Sequence, residues 1–214
     1  MKATQFEKVT LTFLLKGKKR SIVDCLSHVF DPSENQVWIA EDRLLLNAMF
    51  HLLTSNIQPT SGKVIHPIRK YYAIKPVPML NHFSLKQYIK ILLAIITPGN
   101  VDSKKLFSLL CQHHHISPQE LGEVVEYLPI ETQIALALSL AILLDTSFVF
   151  IQNAYLHIVL DLLPKSLHEQ WQQFLTKNVV ISVVYNEKEP IIHPDFKRIL
   201  NLKSNAIIET LRAS

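Results

Sequence analysis

Residues 38–64 of the chain read WIAEDRLLLNAMFHLLTSNIQPTSGKV. The stretch enters on β-branched and aromatic residues at 37–40 and passes through a polar turn at 41–43. It continues as an apolar run from 44 to 53 with helical character and closes on the turn sequence at 58–63. Because β-branched residues favour strands and Gly/Pro clusters end elements, the stretch predicts strand, loop, helix, turn and strand, and thus an α/β fold.

That order of elements is the plan of a P-loop unit, but its phosphate-binding residues are absent. The unit binds phosphate through G-x-x-x-x-G-K-S/T, because glycine permits close backbone approach and lysine reaches the phosphates. The matching positions hold Ala40, Leu45, Leu46 and Asn47. Leucines put bulk where phosphate would lie, and the acidic pair at 41–42 would repel it.

Composition sets the broad class. The chain has 214 residues, of which 48% are apolar and 19% charged, so it can bury a core and is not predicted to be disordered. Its 4 glycines are few for an enzyme that cradles phosphate. The two cysteines, Cys25 and Cys111, do not form a disulfide framework and indicate a reducing compartment. The first residues contain no apolar signal core, so nothing indicates secretion.

Two stretches have alternative interpretations. The net charge of +4 comes partly from the run 16–20, which we interpret as a solvated hairpin tip, with contact to anionic lipid or nucleic acid as the alternative. Residues 134–151 are long and apolar enough to suggest a membrane span. The turn formers at 145–147 divide that stretch, so it predicts a buried helix followed by a strand.

The rest of the chain predicts alternating strands and helices. Strands are expected at 5–15, 21–29, 37–40, 62–66, 70–74, 148–151, 179–184, 196–202 and 206–208. Helices are expected at 44–54, 84–96, 102–113, 117–126, 134–144 and 164–176. Ser84 with Gln87, and Ser117 with Glu120, have the spacing of capping boxes. Residues 111–115 (CQHHH) are interpreted as a solvated helix end rather than a metal site, because adjacent helical histidines point in different directions.

Together these features resemble the ATP-binding subunit of an ABC transporter, closest to the type that powers capsular or O-antigen polysaccharide export. Two antiparallel strands precede the P-loop-like strand, and residues 83–89 (FSLKQYI) resemble the family's helix start L-T-x-R-E-N-L. The signature L-S-G-G-Q falls on residues 127–131, with Leu128 for serine, Pro129 and Ile130 for the glycines and Glu131 for glutamine.

The resemblance also places the family's other functional positions. Gln152 replaces the magnesium-binding aspartate and Asn153 the catalytic glutamate. The switch histidine is Tyr185, and residues 80–82 occupy the glutamine-loop position with no glutamine before Gln87. Phe13 lies where the family stacks an aromatic on adenine, although a strand phenylalanine more often belongs to the core.

The resemblance implies a single P-loop NTPase-like domain over 1–214, with a mixed central sheet. Its parts would be N-terminal antiparallel strands at 1–40, a degenerate P-loop region at 41–79, an inserted helical subdomain at 80–130, and a core sheet with a closing hairpin at 131–214. A coincidental α/β similarity is the competing interpretation.

The expected function is that of a pseudo-ATPase, because magnesium needs carboxylate ligands and an amide cannot act as a general base. We expect no catalytic, cofactor-binding or metal residues and no cofactor. Expected partners are a membrane permease, another ABC-type subunit or an envelope export component, with dimerisation and a location at the inner face of the cytoplasmic membrane. The alternatives are an atypical transport ATPase and a nucleic-acid-binding module using the 16–20 run, Lys70 and Lys75; no nucleic-acid partner is favoured.

Overall fold

A computed structural model describes residues 3–15, 17–31, 34–68, 71–74, 80–96, 102–185 and 192–211. The chain divides into two units: unit 1 comprises Met1–Tyr71 and Val179–Ser214, and unit 2 comprises Tyr72–Asn178. Strands dominate unit 1 and helices dominate unit 2, which confirms the predicted α/β class. The predicted subdivision at 40, 79 and 130 stays a prediction.

The N-terminal sheet of unit 1 is antiparallel, as predicted. Its strands are β1 (Thr4–Leu15), β2 (Lys18–Phe30) and β4 (Ser61–Ile65), in the order β2-β1-β4. Register shifts interrupt the β1–β2 and β1–β4 ladders. Gly62 in β4 has φ +76°, and a Cβ there would overlap the carbonyl oxygen of Lys8, so glycine permits this close approach of two backbones.

A mixed sheet forms the second layer of unit 1. In it, β3 (Gln36–Ala40) lies between β7 (Val179–Tyr185) and β8 (Arg198–Leu202), parallel to both, and β9 (Ile207–Leu211) pairs antiparallel with β8. Strands β3 and β7 are almost continuously apolar and buried, as expected for strands covered on both faces. Helix α1 (Arg43–Leu53) follows β3 directly.

Aromatic side chains fill the core of unit 1 beside β3. The Phe30 ring centre lies 5.0 Å from that of Phe6 and 5.4 Å from that of Trp38. Trp38 is fully buried, and its indole Nε1–H donates to Gln36 Oε1 at 3.1 Å, which satisfies its one polar group. These contacts hold β3 in the core of unit 1. The candidate site lies at the carboxyl end of this strand.

In the part of unit 2 that the structure describes, β5 (Tyr72–Ile74) and β6 (Phe148–Gln152) form a parallel strand pair. Its helices are α2 (Leu85–Ile96), α3 (Ser103–His113), α4 (Ile130–Leu143), α5 (Asn153–Leu162) and α6 (Lys165–Lys177). Helix α4 packs against α3, α5 and α6 and is buried from Gln133 to Ile142. Thus 134–151 does form a buried helix and a strand, as predicted. No helix among the described residues has both the length and the apolar character to span a bilayer.

The helix predicted at 117–126 is wrong. The Ser117–Glu120 capping box does form, with Ser117 N–H donating to Glu120 Oε2 at 2.7 Å. However, the segment contains only two 3₁₀ turns, Glu120–Gly122 and Val125–Tyr127. The reason is tertiary: Leu85 N–H donates to the Glu123 carbonyl at 2.8 Å, and Val125 N–H to the Phe83 carbonyl at 3.0 Å. Those bonds to a distant segment replace the helical ones.

Other elements differ from prediction at their boundaries. Helix α4 begins at Ile130 instead of 134, and α5 was not predicted at all. The Ser84–Gln87 capping box forms as predicted, with Ser84 N–H donating to Gln87 Oε1 at 3.0 Å. Lys70, at the start of the strand predicted at 70–74, and the chain break predicted at 76–78 lie outside the described residues.

Candidate functional site

In unit 1, the candidate site is the junction of β3 and α1, where a P-loop would lie. Strand β3 ends at Ala40 and α1 already begins at Arg43, so just Glu41 and Asp42 connect them. A P-loop motif with its first glycine at 40 would keep the next four residues outside the helix, as a loop whose amides surround phosphate. In this chain two of those four residues belong to the helix instead.

The N-terminus of α1 is capped by the chain's own carboxylate. Asp42 Oδ1 accepts a hydrogen bond from Leu44 N–H at 2.8 Å, and Asp42 has the extended backbone typical of an N-cap. The amides at a helix start are the groups that bind phosphate in a P-loop. Asp42 therefore places a fixed negative charge where a phosphate would need to bind.

The leucines of the degenerate motif belong to the core. Leu45 and Leu46, at the second-glycine and lysine positions, are buried, whereas Leu44 is partly exposed. Asn47, at the serine/threonine position, lies on the exposed face of α1. Leu45 and Leu46 therefore pack into the core, within a helix that already begins at Arg43. That leucines fill the phosphate position stays a prediction.

Two arginines flank this junction. The Arg20 guanidinium lies 3.9 Å from Asp42 Oδ2, and both side chains are largely exposed, so the ion pair contributes little stability. The Arg43 guanidinium lies over the ring of Tyr185, 5.4 Å from its centre. Tyr185 ends β7 beside Ala40 in the parallel register and occupies the switch-histidine position of the resemblance. A cation–π contact thus occupies the place of the switch residue.

A cavity of about 820 Å³ opens beside the junction. Acidic, basic and apolar groups from β2, β3, α1 and the β8–β9 hairpin line it: Arg20, Ser21, Ile22, Ile39, Ala40, Glu41, Asp42, Leu45, Asn201, Leu202, Lys203 and Ser204. The lining contains two cations, Arg20 and Lys203, and two carboxylates, Glu41 and Asp42, so it carries no net positive charge. A polyphosphate would meet neither a lysine at the motif position nor a free helix start.

In unit 2, the two residues that the resemblance assigns to the magnesium-binding and catalytic positions lie where β6 passes into α5. Gln152 is the last residue of that strand, and Asn153 is the first of α5, so no loop separates them. Asn153 is 2% exposed. A buried neutral amide has neither the charge to hold magnesium nor the basicity to activate water.

The signature-like segment forms a 3₁₀ turn that leads into α4. Tyr127 ends that turn and is 81% exposed, and Pro129 precedes the helix without a side-chain cap. Buried Gln133 holds the segment, because its Nε2 donates to the carbonyl oxygens of Val125 and Leu128, both at 3.3 Å. Sequence reasoning missed Gln133, since no motif position distinguishes it from its neighbours.

The histidine tract is not simply solvated, and that prediction is wrong for His114. His114 Nε2 lies 2.8 Å from Ser139 Oγ of α4, and His113 Nδ1 lies 2.7 Å from Ser166 Oγ of α6. Burial, together with the neighbouring charges of His113 and His115, lowers the pKa of His114 to about 4. Within the described ranges, no three His, Cys, Asp or Glu side chains converge as metal ligands do.

Four further predicted positions, Phe13, Lys18, Lys19 and Arg20, belong to β1 and β2. Phe13 is 37% exposed and pairs across the strands with Arg20, so the core interpretation of this phenylalanine is wrong. Lys18, Lys19 and Arg20 are exposed at the start of β2, whereas Lys16 and Lys75 lie outside the described residues.

Solved structures with the same fold are ATP-binding cassettes. The post-hydrolysis dimer of the cassette MJ0796, bound to ADP and Pi, matches with TM-score 0.69 and 13% identity over 99% of both chains. A nucleotide-free cassette from an ABC transporter matches with TM-score 0.70 and 9% identity over 100% of this chain and 92% of that one. The ADP conformation of MJ1267 matches with TM-score 0.66 and 10% identity over 99% and 91%.

These similarities assign the fold, which is that of ABC ATPase cassettes, with the mixed sheet and the antiparallel N-terminal sheet that the sequence predicted. No protein-family model matches the sequence, and no curated protein matches it significantly.

Proposed function

We propose that this chain is an ABC-type subunit that neither binds nor hydrolyses ATP and instead acts by binding protein partners. The observation that carries the proposal is the capped start of α1: Asp42 accepts the Leu44 amide at 2.8 Å, two residues after β3 ends. A bound triphosphate would have to displace that carboxylate and unwind the first helical turn. No lysine at the motif position would compensate for either cost.

We expect no ATP hydrolysis, because several of the groups that the reaction needs are missing at the same time. Removing one charge-stabilising donor typically costs about 2.7–4 kcal/mol in a transition state. Here the phosphate-loop glycines, the lysine, the magnesium-binding carboxylate and the catalytic base positions are all changed. A cassette fold without this chemistry supports a scaffolding or regulatory role.

Isothermal titration with ATP and magnesium tests the proposal. We expect no binding tighter than about 0.1 mM, equivalent to roughly 5.5 kcal/mol. The matched variant is Asp42→Ser, which keeps a capping side chain but removes the negative charge; we expect it to remain without measurable affinity, because the loop is still too short. Tighter binding by the wild type would contradict the proposal. Phosphate release that disappears on changing Gln152 or Asn153 would instead establish an atypical ATPase.

We further propose that the subunit serves polysaccharide export at the inner face of the cytoplasmic membrane, alongside a permease, a second ABC-type subunit or an envelope component. This finer assignment rests on the sequence resemblance. Affinity purification from the native cell is expected to recover a permease or an envelope export protein. Recovery of neither, under conditions that retain a known exporter complex, would overturn the export role.

The exposed cations Lys18, Lys19 and Arg20 keep nucleic-acid binding as a second candidate. Binding carried by phosphate contacts weakens steeply as salt rises. Titration of labelled single- and double-stranded DNA at two salt concentrations separates the candidates: we expect no salt-sensitive binding, and its presence would favour the nucleic-acid module.

A further inference from the structure

A groove with an apolar floor lies between α2 and α3 in unit 2. Its cavity measures about 360 Å³, and Leu93, Ala94 and Phe107 line it together with Lys90 and Lys104. Leu93 is 2% exposed, Phe107 is half-buried and Ala94 is exposed, so the apolar lining runs from the interior of the unit to its surface. We call this cavity the α2–α3 groove.

Small side chains keep the groove open. The two helices pack against each other, and the lining at this point includes Ala94, Ser103 and Ser108. Larger side chains at these positions would fill the space, as they do in a close-packed interior. The Ser108 hydroxyl donates to the Lys104 carbonyl at 3.0 Å, so its proton is already used within α3.

The helices that form the groove are basic. They contain four lysines, at 86, 90, 104 and 105, and no aspartate or glutamate. All four lysines are exposed, and among the residues that the structure describes no ion pair engages them. The groove therefore favours an anionic ligand.

The one carboxylate close to these lysines in sequence is occupied. Asp102 is the only acidic residue between Asp42 and Glu120. Its Oδ1 accepts the backbone N–H groups of Lys104 and Lys105 at 3.0 and 3.1 Å, which caps the start of α3. Because the cap uses these amides, the lysine ammonium groups are the donors that remain for an anion.

From these observations we propose that the α2–α3 groove binds an amphipathic anion of the fatty-acid class. The ammonium groups of Lys90 and Lys104 bind its carboxylate through charge-assisted hydrogen bonds. Its aliphatic chain covers the apolar floor formed by Leu93, Ala94 and Phe107. Small-molecule sites commonly combine such a mostly apolar, concave lining with a few polar groups that fix orientation.

The volume of the groove favours a single chain over larger occupants of the same charge. A cavity of 360 Å³ lies near the lower end of the range for ligand sites, about 300–1,000 Å³. It equals the volume of about twelve water molecules at about 30 Å³ each, so it accommodates an aliphatic chain of about ten carbon atoms. A nucleic-acid backbone would leave the apolar floor uncovered.

Isothermal titration calorimetry with decanoate, kept below its micellar concentration, tests the inference. Matched ligands are hexanoate, which has a shorter chain, and decyltrimethylammonium, which keeps the chain length and reverses the charge. The variants are Lys90→Gln with Lys104→Gln, and Ala94→Trp, which fills the groove from an exposed position. The control is Lys165→Gln with Lys177→Gln, which changes two exposed lysines of α6 in the same unit.

We expect one decanoate to bind per chain with a Kd of about 0.1 mM or lower, and both matched ligands to bind at least about tenfold more weakly. Each groove variant should weaken decanoate binding at least about tenfold, whereas the control pair should change it less than about twofold. Circular dichroism shows whether each variant is folded. If Ala94→Trp does not fold, the lysine variant and the ligand comparison decide.

Several results would overturn the inference. These are no decanoate binding by the folded wild type, equal binding of decyltrimethylammonium, an unchanged affinity in a folded groove variant, or an equal loss in the control pair. Binding to phosphatidylglycerol vesicles without binding of monomeric decanoate would assign the lysines to a membrane surface and overturn it too. Binding of a glutamate-rich peptide without binding of decanoate would do the same in favour of an acidic protein segment.

This inference goes beyond the proposed function and fails separately from it. ATP binding by the wild type would contradict the loss of nucleotide binding and leave the decanoate result standing. Absence of decanoate binding would contradict the α2–α3 groove as a ligand site and leave the ATP result standing.

Discussion

The Arg43 guanidinium carbon lies 5.4 Å from the centre of the Tyr185 ring. Arg43 begins α1, and Tyr185 ends β7 directly beside Ala40. The contact therefore connects the helix start and a neighbouring strand end, two elements that are far apart in sequence. It also engages Arg43, the residue that follows the two-residue loop in sequence, with a protein ring.

We expect the Arg43–Tyr185 pair to have a measurable coupling. A double-mutant cycle with Arg43→Ala and Tyr185→Ala, measured by urea unfolding, should give about 0.5–1 kcal/mol, the range of partly exposed cation–π contacts. Tyr185→Phe is the matched control, because it keeps the ring and removes the hydroxyl. A coupling of zero, or the same loss in Tyr185→Phe as in Tyr185→Ala, would show that the guanidinium–ring contact contributes nothing.

The cap at Asp42 should contribute to stability independently of its charge. Asp42→Ala removes the acceptor of the Leu44 amide and is expected to lower the free energy of unfolding by about 1 kcal/mol. Asp42→Ser and Asp42→Asn keep an acceptor and should retain most of it. If Asp42→Asn is as damaging as Asp42→Ala, the exposed ion pair with Arg20, rather than the cap, is the source of the stability.

His114 should make the protein less stable in mild acid. Its pKa in the folded state is about 4, below the ordinary 6.5. Well above pH 6.5, His114 is neutral in both the folded and the unfolded state, so it does not lower the free energy of unfolding. As the pH falls from 6.5 towards 4, the unfolded chain takes up a proton that the folded chain does not, so stability decreases by up to roughly 3 kcal/mol.

Urea unfolding between pH 7 and pH 4 measures the His114 effect. His114→Gln keeps a partner for Ser139 and should give a visibly flatter decline than the wild type. His168→Gln, at an exposed position of α6, is the control and should leave the slope unchanged. Parallel curves for wild type and His114→Gln would disprove the assignment.

Two glycines with positive φ provide a matched steric comparison. Gly62→Ala places a methyl group against the Lys8 carbonyl oxygen, whereas Gly17→Ala, at a similar φ, has nothing within 4 Å. Both variants carry the cost of a left-handed alanine, on the order of 1 kcal/mol. We expect Gly62→Ala to lose at least about 2 kcal/mol more, or not to fold, because backbone must move to relieve the overlap. Equal melting temperatures would contradict the close approach of β4 to β1.

The local pattern of apolar and β-branched residues was sufficient to predict much of the fold. The apolar run at 44–53 predicted α1 within one residue, and the buried β-branched runs predicted β3, β6 and β7. The Asp42 cap is also readable from the sequence, because an acidic residue before a helical apolar run is an N-terminus signal. The polar turn predicted at 41–43 does not include that cap.

The predictions that failed concern residues whose conformation depends on contacts with segments distant in sequence. Residues 117–126 have helical capping signals, but two of their N–H groups, those of Val125 and Glu126, donate to carbonyls of the segment 81–85, and the Glu123 carbonyl accepts a bond from that segment. The sequence predicts a solvated His114, but in the structure His114 Nε2 lies 2.8 Å from Ser139 Oγ of α4. The Arg43–Tyr185 contact requires the parallel register of β3 and β7, which no short-range pattern contains.

Because two residues, Glu41 and Asp42, separate β3 from α1, phosphate binding by a loop at this junction would depend on chain length before it depends on side-chain identity. Glycine at 40 and 45 with lysine at 46 would still leave the first helical turn wound through the space that phosphate requires. An attempt to build a phosphate-binding loop here would have to insert residues between Ala40 and Arg43, or destabilise that turn, before any substitution could take effect. Single-site changes in a natural population would therefore not create a phosphate-binding loop at this junction.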